Sequence, residues 1–210
     1  MNNTWNKVIY TLWSPVYDAI FNAGYFLEAR KKVFQCMAFT RQQKILVVGV
    51  GTGADLELIY RSGLNITAID YSQSMLNKAK KKFSNSSITF IEMDAQEMEF
   101  SNDKFDLIIG SLILSVVPNA DACFKEMARV IKPGGEILLF DKFLPAKQNL
   151  SLPKKIIRPV IKLLGTDIGL NFEKLFENNK DRLLIKEDVP VMFNGMYRKI
   201  ILSKQALKWD

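Results

Sequence analysis

The chain has 210 residues, a mass of 24.0 kDa, 48% hydrophobic residues and a net charge of +7, which suits one domain with its own buried core. It contains no histidine, so Ser-His-Asp and Cys-His catalysis, histidine-ligated zinc and a histidine general base are excluded. The two cysteines, Cys36 and Cys123, are too few for a four-thiolate metal site or a disulfide framework, so we expect free thiols and no metal site.

The first 43 residues are predicted to form a helical lid. Aromatic and apolar residues recur there at helical spacing, in a stripe through Tyr10, Trp13, Tyr17 and Phe21. Such a stripe packs into a core or covers the carboxyl ends of strands as a substrate wall. The opening residues lack the basic cap and unbroken apolar run of a secretion signal, so we expect a cytoplasmic protein.

Residues 44–141 are predicted to form a cofactor-binding core in which strands and helices alternate. The predicted strands are residues 45–48, 65–69, 88–93, 105–110 and 136–140. The predicted helices are residues 54–62, 72–83 and 119–130, the last of which stops at a Lys-Pro-Gly-Gly turn. This alternation is typical of a parallel sheet with helices on both faces. The longest apolar run, residues 107–117, is too short to cross a bilayer.

Residues 142–210 are predicted to be a basic, substrate-side region of the same single domain, with closing antiparallel strands at 183–185 and 197–202. The fold class is therefore α/β, with a doubly wound, mostly parallel, seven-stranded sheet. The net charge is +3 over residues 1–43, −3 over the core and +7 over this last region. Basic flanks can face the phosphates of lipid or nucleic acid, and the alternative is a solvated surface that keeps the protein soluble.

A glycine cluster and two acids predict a nucleoside pocket. Gly49, Gly51 and Gly53 directly follow the first strand and open a helix, where glycines let the backbone turn tightly and approach a ligand. Asp70 ends the second strand, and an acid there can accept hydrogen bonds from both hydroxyls of a ribose. Asp94 follows the third strand, where a carboxylate can accept the exocyclic amine of adenine.

The charge after the glycines indicates which nucleoside is bound. Asp55 and Glu57 lie in the first turn of the following helix and would repel the pyrophosphate that a dinucleotide places at a helix N-terminus. S-adenosylmethionine carries a sulfonium, an ammonium and one carboxylate, but no phosphate. This cofactor therefore fits better than a dinucleotide.

Five segments resemble class I S-adenosylmethionine-dependent methyltransferases in their order and spacing. They are ILVVGVGTG at 45–53, ITAIDYSQSML at 66–76, IEMDAQEMEF at 91–100, FDLIIGSLILSVV at 105–117 and ARVIKPGGEILLF at 128–140. The resemblance covers nearly half of the chain and implies a Rossmann-like methyltransferase fold with S-adenosyl-L-methionine as cofactor. One position departs from the family pattern, since the acid that usually stands two residues before the first glycine is Val47 here.

The resemblance also implies a set of cofactor-binding residues. They are Gly49, Gly51 and Gly53, with Val50 and Thr52 between them, at the methionine portion; Asp70 at the ribose; Tyr71, Met75, Asp94 and Ala95 at the adenine; and Ser111 and Leu112 at the methyl-transfer centre.

The flanks are similar to small bacterial phosphatidylethanolamine N-methyltransferases, whose relatives methylate quinone rings. The similar stretches are residues 10–21, 115–119 and 164–172. In the phospholipid enzymes the fifth strand often ends in Asn-His-Phe, whereas this chain has Asp141, Lys142 and Phe143. The resemblance implies methyl transfer to an amine of a phospholipid headgroup, with an anionic membrane surface as a candidate partner.

The absence of histidine restricts the chemistry of the acceptor. Methyl transfer mainly needs alignment and exclusion of water, so a nitrogen, a sulfur or an acidic carbon is favoured over an alcohol. Tyr10, Tyr17 and Asp141 are the candidate catalytic residues that would contact the substrate, and their alternative roles are core packing or a strand-end cap.

Two other functions remain open. The first is a methyltransferase of a small soluble thiol, amine or quinone precursor. The second is a non-catalytic nucleic-acid-binding module, supported only by the basic segment 142–167. The chain lacks the Asn/Asp-Pro-Pro-aromatic tetrapeptide of enzymes that methylate base nitrogens, so nucleic acid is not an expected partner.

Overall fold

The computed structural model describes residues 23–35, 37–144, 167 and 169–205. The elements within these residues, in chain order, are α1 (Gly24–Phe34), β1 (Lys44–Val48), α2 (Ala54–Ile59), β2 (Asn65–Asp70), α3 (Gln73–Lys82), β3 (Thr89–Glu92), β4 (Phe105–Ser111), α4 (Ala120–Val130), β5 (Ile131–Lys142), α5 (Phe172–Glu177), β6 (Leu183–Met192) and β7 (Tyr197–Lys204). Tyr10 and Tyr17 lie outside the described residues, as does most of the basic segment 142–167.

The strands form one seven-stranded sheet in the order β3-β2-β1-β4-β5-β7-β6. Strands β1 to β5 are parallel to one another, and β7 runs antiparallel between β5 and β6. From β1 the chain adds β2 and β3 on one side of the sheet and then β4 and β5 on the other. The glycine-rich loop after β1 therefore lies at the switch point where open α/β sheets bind ligands. The doubly wound, mostly parallel fold predicted from the alternating segments is confirmed.

Helices cover both faces of the sheet, and strand β1 shows how the sequence determines this. Ile45 and Val47 face a core that they share with α1 and α2, whereas Leu46 and Val48 face the core under α4. Successive residues of a strand point to opposite faces, so a strand buried on both sides needs a continuous apolar run. Each fully buried side chain of this size contributes about 1.5–3 kcal/mol.

The Lys-Pro-Gly-Gly segment is part of a strand and not a separate turn. Helix α4 ends at Val130 and β5 begins at the next residue, so the strand starts five residues before the predicted Glu136. The register with β4 shifts between Phe105 and Leu107, beside this segment, and Gly134 has a φ of 78°. A bulge tolerates proline and a left-handed glycine, which is why the turn signal was misleading.

Two described parts of the flanks differ from expectation. Strand β6 extends to Met192, well beyond the predicted 183–185, because charged residues and Pro190 on an edge strand hide its pattern. Helix α1, which lies inside the predicted lid, packs Ala29, Val33 and Phe34 into the core beside α2. The lid role therefore stays a prediction for residues 1–22.

Candidate active site

The glycine loop after β1 is held to the end of β2 by its own backbone. The amides of Gly49 and Val50 both donate to the carbonyl oxygen of Ile69, at 2.9 and 3.0 Å. The amide of Gly51 donates to Oδ2 of Asp70 at 2.8 Å. Gly49 and Gly51 have φ values of +70° and +55°, in the left-handed region that favours glycine. The shape of the loop is thus fixed by contacts within the protein.

Asp70 links the glycine loop to the start of α3. Its Oδ1 accepts a hydrogen bond from the amide of Ser72 at 2.8 Å, and its other oxygen accepts from Gly51. Burial raises the pKa of the Asp70 carboxyl above its ordinary value, while these two amides oppose the shift. Each carboxylate oxygen offers two lone pairs, so one acceptor site per oxygen remains for a ligand hydroxyl.

A cavity of about 810 Å³, open to solvent at its mouth, lies along the carboxyl ends of the strands. That figure includes the open solvent at the mouth. Nine of the predicted cofactor residues line it, namely Gly49, Gly51, Asp70, Tyr71, Met75, Asp94, Ala95, Ser111 and Leu112. The fold therefore brings together residues from the ends of β1, β2, β3 and β4.

The other three predicted cofactor residues do not line this cavity. Val50 is buried in the core shared with α2, Thr52 is also buried, and Gly53 is the N-cap of α2. Their contact with a cofactor stays a prediction. The lining residues that sequence reasoning missed are Ile69, Ser72, Met93, Ile113, Val116, Val117 and Pro118. Most of them are apolar, and only their closeness to the predicted motifs could have indicated them.

The mouth of the cavity is acidic on the side of β3. Asp94 accepts hydrogen bonds from the amide and the side chain of Gln96, which fixes the turn after β3. Glu97 and Glu99 border a second concavity that shares Tyr71 and Asp94 with the first. Tyr71 is 39% exposed and stands at the junction of the two. The electrostatic potential here favours a cationic ligand.

The opposite end of the cavity is apolar apart from Ser111. Leu112 adopts a φ of +55° and donates its amide to the carbonyl oxygen of Phe140 at 2.7 Å, which turns the chain out of β4. Val47 is 2% exposed and packs in the core below this end. Within the described residues, no group of three or more acidic or thiol side chains is placed to hold a metal ion.

Asp141 is fully buried near the end of β5 and organises the neighbouring backbone. Its two oxygens accept hydrogen bonds from the amides of Ser115, at 3.2 Å, and Lys142, at 2.8 Å. Burial raises the pKa of its carboxyl, and these donors oppose that shift. Asp141 does not line the cavity, so this geometry matches the strand-end cap that was its alternative role. Substrate contact by Asp141 stays a prediction.

Comparison with known proteins identifies the family. Residues 46–139 match the family model described as a methyltransferase domain. The chain is 30% identical over 192 residues to a phosphatidylethanolamine N-methyltransferase of Cereibacter sphaeroides, covering 90% of this chain and 92% of that protein. The chain belongs to the class I S-adenosylmethionine-dependent methyltransferases.

A second group of relatives acts on quinones. A demethylmenaquinone methyltransferase of Staphylococcus aureus is 31% identical over 160 residues, which cover 72% of this chain and 62% of that protein. Among solved structures, the [4+2]-cyclase SpnF superposes with a TM-score of 0.78 at 16% identity, over 98% of both chains. The YcgJ protein of Bacillus subtilis superposes with a TM-score of 0.66 at 13% identity, over 85% of this chain and 98% of that one. These likenesses confirm the Rossmann-like methyltransferase fold.

The residues in the cavity fit the family's cofactor, S-adenosyl-L-methionine. Asp70 retains acceptor sites for ribose hydroxyls, and Met75 and Ala95 supply apolar surface beside Asp94 for the adenine. The acidic mouth suits a ligand that carries a sulfonium and an ammonium group. When bound, this cofactor supplies an electrophilic methyl group attached to a good leaving group.

Proposed function

We propose that this methyltransferase acts on the amine of a phospholipid headgroup at a membrane surface. The observation that carries this proposal is the similarity to the Cereibacter sphaeroides enzyme, which extends over 90% of this chain and 92% of that protein. The quinone methyltransferase matches over only 62% of its own length. A relative that aligns over nearly its whole length shares the flanking segments, where we expect the acceptor to be recognised, in addition to the cofactor core.

The chemistry of the described site supports an amine acceptor. The apolar segment formed by Ile113, Val116 and Val117 lines the cavity and excludes water from the reacting groups. The chain has no histidine, and Asp141 is occupied by two backbone amides. An amine loses its proton to water or to a weak acceptor, so this site needs no strong base.

Lys142 is the residue that we assign to the headgroup phosphate. It ends β5 at the same edge of the sheet as the cavity, next to Tyr197 on β7. Burial lowers the pKa of Lys142, and the nearby carboxylates of Asp141 and Asp167 oppose this shift. Across the described residues its ammonium has no hydrogen bond or ion pair. The neighbouring Arg198, in contrast, is paired with carboxylates on β6 and α5.

The charge of the flanks favours an anionic surface as the place of reaction. Residues 1–43 carry +3 and residues 142–210 carry +7, while the cofactor core carries −3. Each basic residue near an anionic membrane contributes about 1 kcal/mol of attraction. No helix among the described residues is long and apolar enough to span a bilayer. Peripheral attachment through the flanks is therefore the form of membrane contact that we propose.

A labelled-methyl assay tests the proposed acceptor. The protein is incubated with tritiated S-adenosylmethionine and either vesicles of phosphatidylethanolamine and phosphatidylglycerol, a dispersed demethylquinone, or a soluble amine and thiol extract. We expect label in the phospholipid fraction, and Asp70→Ala gives the background. Label in the quinone or the soluble fraction, with none in phospholipid, would contradict the proposal.

A matched pair of lysine variants tests the role of Lys142. Lys142→Met should raise the KM for phosphatidylethanolamine vesicles about tenfold, because a hydrogen bond between charged groups is worth about 1.5–3 kcal/mol. Lys186→Met removes an equal charge from an exposed edge strand, where Lys186 pairs with Glu136, and should leave the KM unchanged. Equal effects of both variants would show that only overall charge matters.

A further inference from the structure

The turn between β6 and β7 carries an exposed aromatic side chain in an unfavourable backbone conformation. Phe193 has a φ of +51°, and Asn194 and Gly195 follow at +51° and +83°. Asparagine and glycine adopt the left-handed region readily, whereas a bulky residue rarely does. Phe193 is also 59% exposed, so burial of its ring within the protein is far from complete. Neither the turn nor the core therefore explains a phenylalanine at this position.

A second exposed aromatic residue lies beside this turn. Tyr25, in the first turn of α1, is 86% exposed. Among the described residues, Tyr25 and Phe193 are the two most exposed large hydrophobic side chains. Phe26, which follows Tyr25, supports the turn from below. Its ring lies edge-on to the rings of Phe193 and Tyr197, at centroid distances of 6.1 and 5.5 Å. We call Tyr25 and Phe193 the aromatic tip.

The aromatic tip lies at the edge of the sheet where the cavity is. Strand β7 begins at Tyr197, which pairs with Lys142 at the carboxyl end of β5. The amide of Phe143 donates to the carbonyl oxygen of Met196, in the turn, at 2.8 Å. Because β5 is parallel to β4, its carboxyl end and the cavity share one edge of the sheet. A surface that contacts the aromatic tip is therefore also close to the cavity.

The chain that continues from this edge is strongly basic. Residues 145–166 contain five lysine and arginine residues and no acid, and they follow directly on Leu144, next to the residue that bonds Met196. Exposed aromatic rings beside positive charge match an anionic bilayer, where rings lie among the headgroups and basic residues meet phosphates. Two side chains cover far less than the roughly 800 Å² that each partner of a stable protein complex buries. The bilayer is therefore the better match.

We propose that the aromatic tip inserts into the headgroup region of an anionic phospholipid bilayer and holds the cavity close to the lipid surface. This inference rests on the proposed function, because a lipid acceptor is what makes the contact useful. It assigns the membrane contact to two side chains on α1 and the β6–β7 turn, at an edge that also carries Lys142.

Co-sedimentation with vesicles of phosphatidylethanolamine and phosphatidylglycerol tests the aromatic tip. Phe193→Asn removes the ring and suits the positive φ, so this variant should fold, as circular dichroism can check. We expect it to bind the vesicles about tenfold more weakly, because the ring no longer leaves water on binding. Tyr25→Ser should weaken binding further when added to it. Phe193→Trp should bind at least as well as the unsubstituted protein.

Leu184 provides a matched control on the same strand. It is 52% exposed and lies near the start of β6, about 30 Å along the strand from Phe193. Leu184→Asn should leave vesicle binding within about twofold of the unsubstituted value. Equal losses in Leu184→Asn and Phe193→Asn, or no loss in Phe193→Asn, would overturn the proposal. Self-association that Phe193→Asn abolishes, with vesicle binding unchanged, would overturn it in favour of a second copy of this chain.

Activity measurements separate this inference from the proposed function. Phe193→Asn should methylate phosphatidylethanolamine in vesicles several-fold more slowly, but short-chain phosphatidylethanolamine in monomeric solution at the unsubstituted rate. An equal loss with both lipids would overturn the proposal, because the ring would then act within the site. Label in phospholipid that is insensitive to Phe193→Asn overturns the aromatic tip alone. No label in either lipid would contradict the proposed function, and the vesicle-binding comparison would still decide the aromatic tip.

Discussion

Two glycines of the loop are expected to respond differently to the same substitution. A Cβ added at Gly49 would lie 2.5 Å from Cδ1 and 3.0 Å from Cγ1 of Ile113, whereas a Cβ at Gly51 would meet no atom within 4 Å. Both glycines have positive φ and both line the cavity. Replacement by alanine therefore adds strain at both positions but crowds the protein at only one.

The expected magnitudes follow from these distances. The left-handed conformation costs an alanine about 1–2 kcal/mol, which is partly offset by about 0.4–1 kcal/mol from the restricted unfolded chain. Gly51→Ala should therefore lower the free energy of unfolding by roughly 1 kcal/mol. Gly49→Ala should lower it by about 2–4 kcal/mol, since displacing Ile113 adds an overpacking cost. Cofactor affinity should show the opposite order, with the larger loss for Gly51→Ala, because the free space beside Gly51 is where a ligand would lie.

Urea denaturation of the ligand-free protein and calorimetry with S-adenosylhomocysteine measure the two effects separately. In a double-mutant cycle, Ile113→Ala should reduce the destabilisation caused by Gly49→Ala by about 1–3 kcal/mol, because the clashing atoms are gone. Ile113→Ala should not reduce the destabilisation caused by Gly51→Ala. Equal destabilisation by the two alanines, or a coupling near zero between positions 49 and 113, would refute the reasoning.

Three further substitutions test other contacts. Arg129→Lys removes a guanidinium that donates hydrogen bonds to two backbone carbonyls of the segment after β3. Urea denaturation should show a free energy of unfolding lower by about 2 kcal/mol, and an unchanged value would contradict this. Asp141→Asn keeps a neutral side chain of the same shape, so in acid, where Asp141 is protonated, the two proteins should unfold with nearly equal free energies. Because burial raises the pKa of Asp141, stability of the unsubstituted protein falls as pH rises from about 3.8 through the folded-state pKa, so Asp141→Asn should become the more stable protein in denaturation at increasing pH, and a difference that does not change with pH would refute the linkage. Protonation of Asp70 removes acceptors that the ribose hydroxyls would use. Calorimetry should therefore show the affinity for S-adenosylhomocysteine falling as the pH drops through the raised pKa of Asp70. The Asp70→Asn variant should bind weakly at every pH.

The cofactor side of the site could be predicted because its signals are local. Gly49 and Gly51 adopt backbone conformations that favour glycine, and Asp70 ends a strand whose neighbours are contiguous in sequence. The motif spacing therefore carried nearly all the information needed to place them. The apolar lining from Ile113 to Pro118 lies in or next to a run that reads equally well as core, so its role depends on the chain leaving β4 at Leu112.

Long-range contacts explain where sequence reasoning stopped. Asp141 is a candidate substrate contact with a strand-end cap as its alternative role, and the contact that supports the cap is with an amide 26 residues earlier in the chain. The early start of β5 depends on pairing with β4, and the full length of β6 depends on pairing with β7. None of these partners is adjacent in sequence, and a register or an inward rotamer has no local signature.

The acids at the strand ends suggest why this protein can work without histidine. Asp70 and Asp141 each accept two backbone amides, and both join a loop to the end of a neighbouring strand. Acids used in this way fix the geometry of the site and are poorly placed to remove protons. A site built for alignment serves nucleophiles that need little deprotonation, and an amine is such a nucleophile. The same argument predicts that acceptors with weakly acidic hydroxyl groups are poor substrates, since the carboxylates that line the described cavity, Asp70 and Asp94, already accept hydrogen bonds that fix the loops.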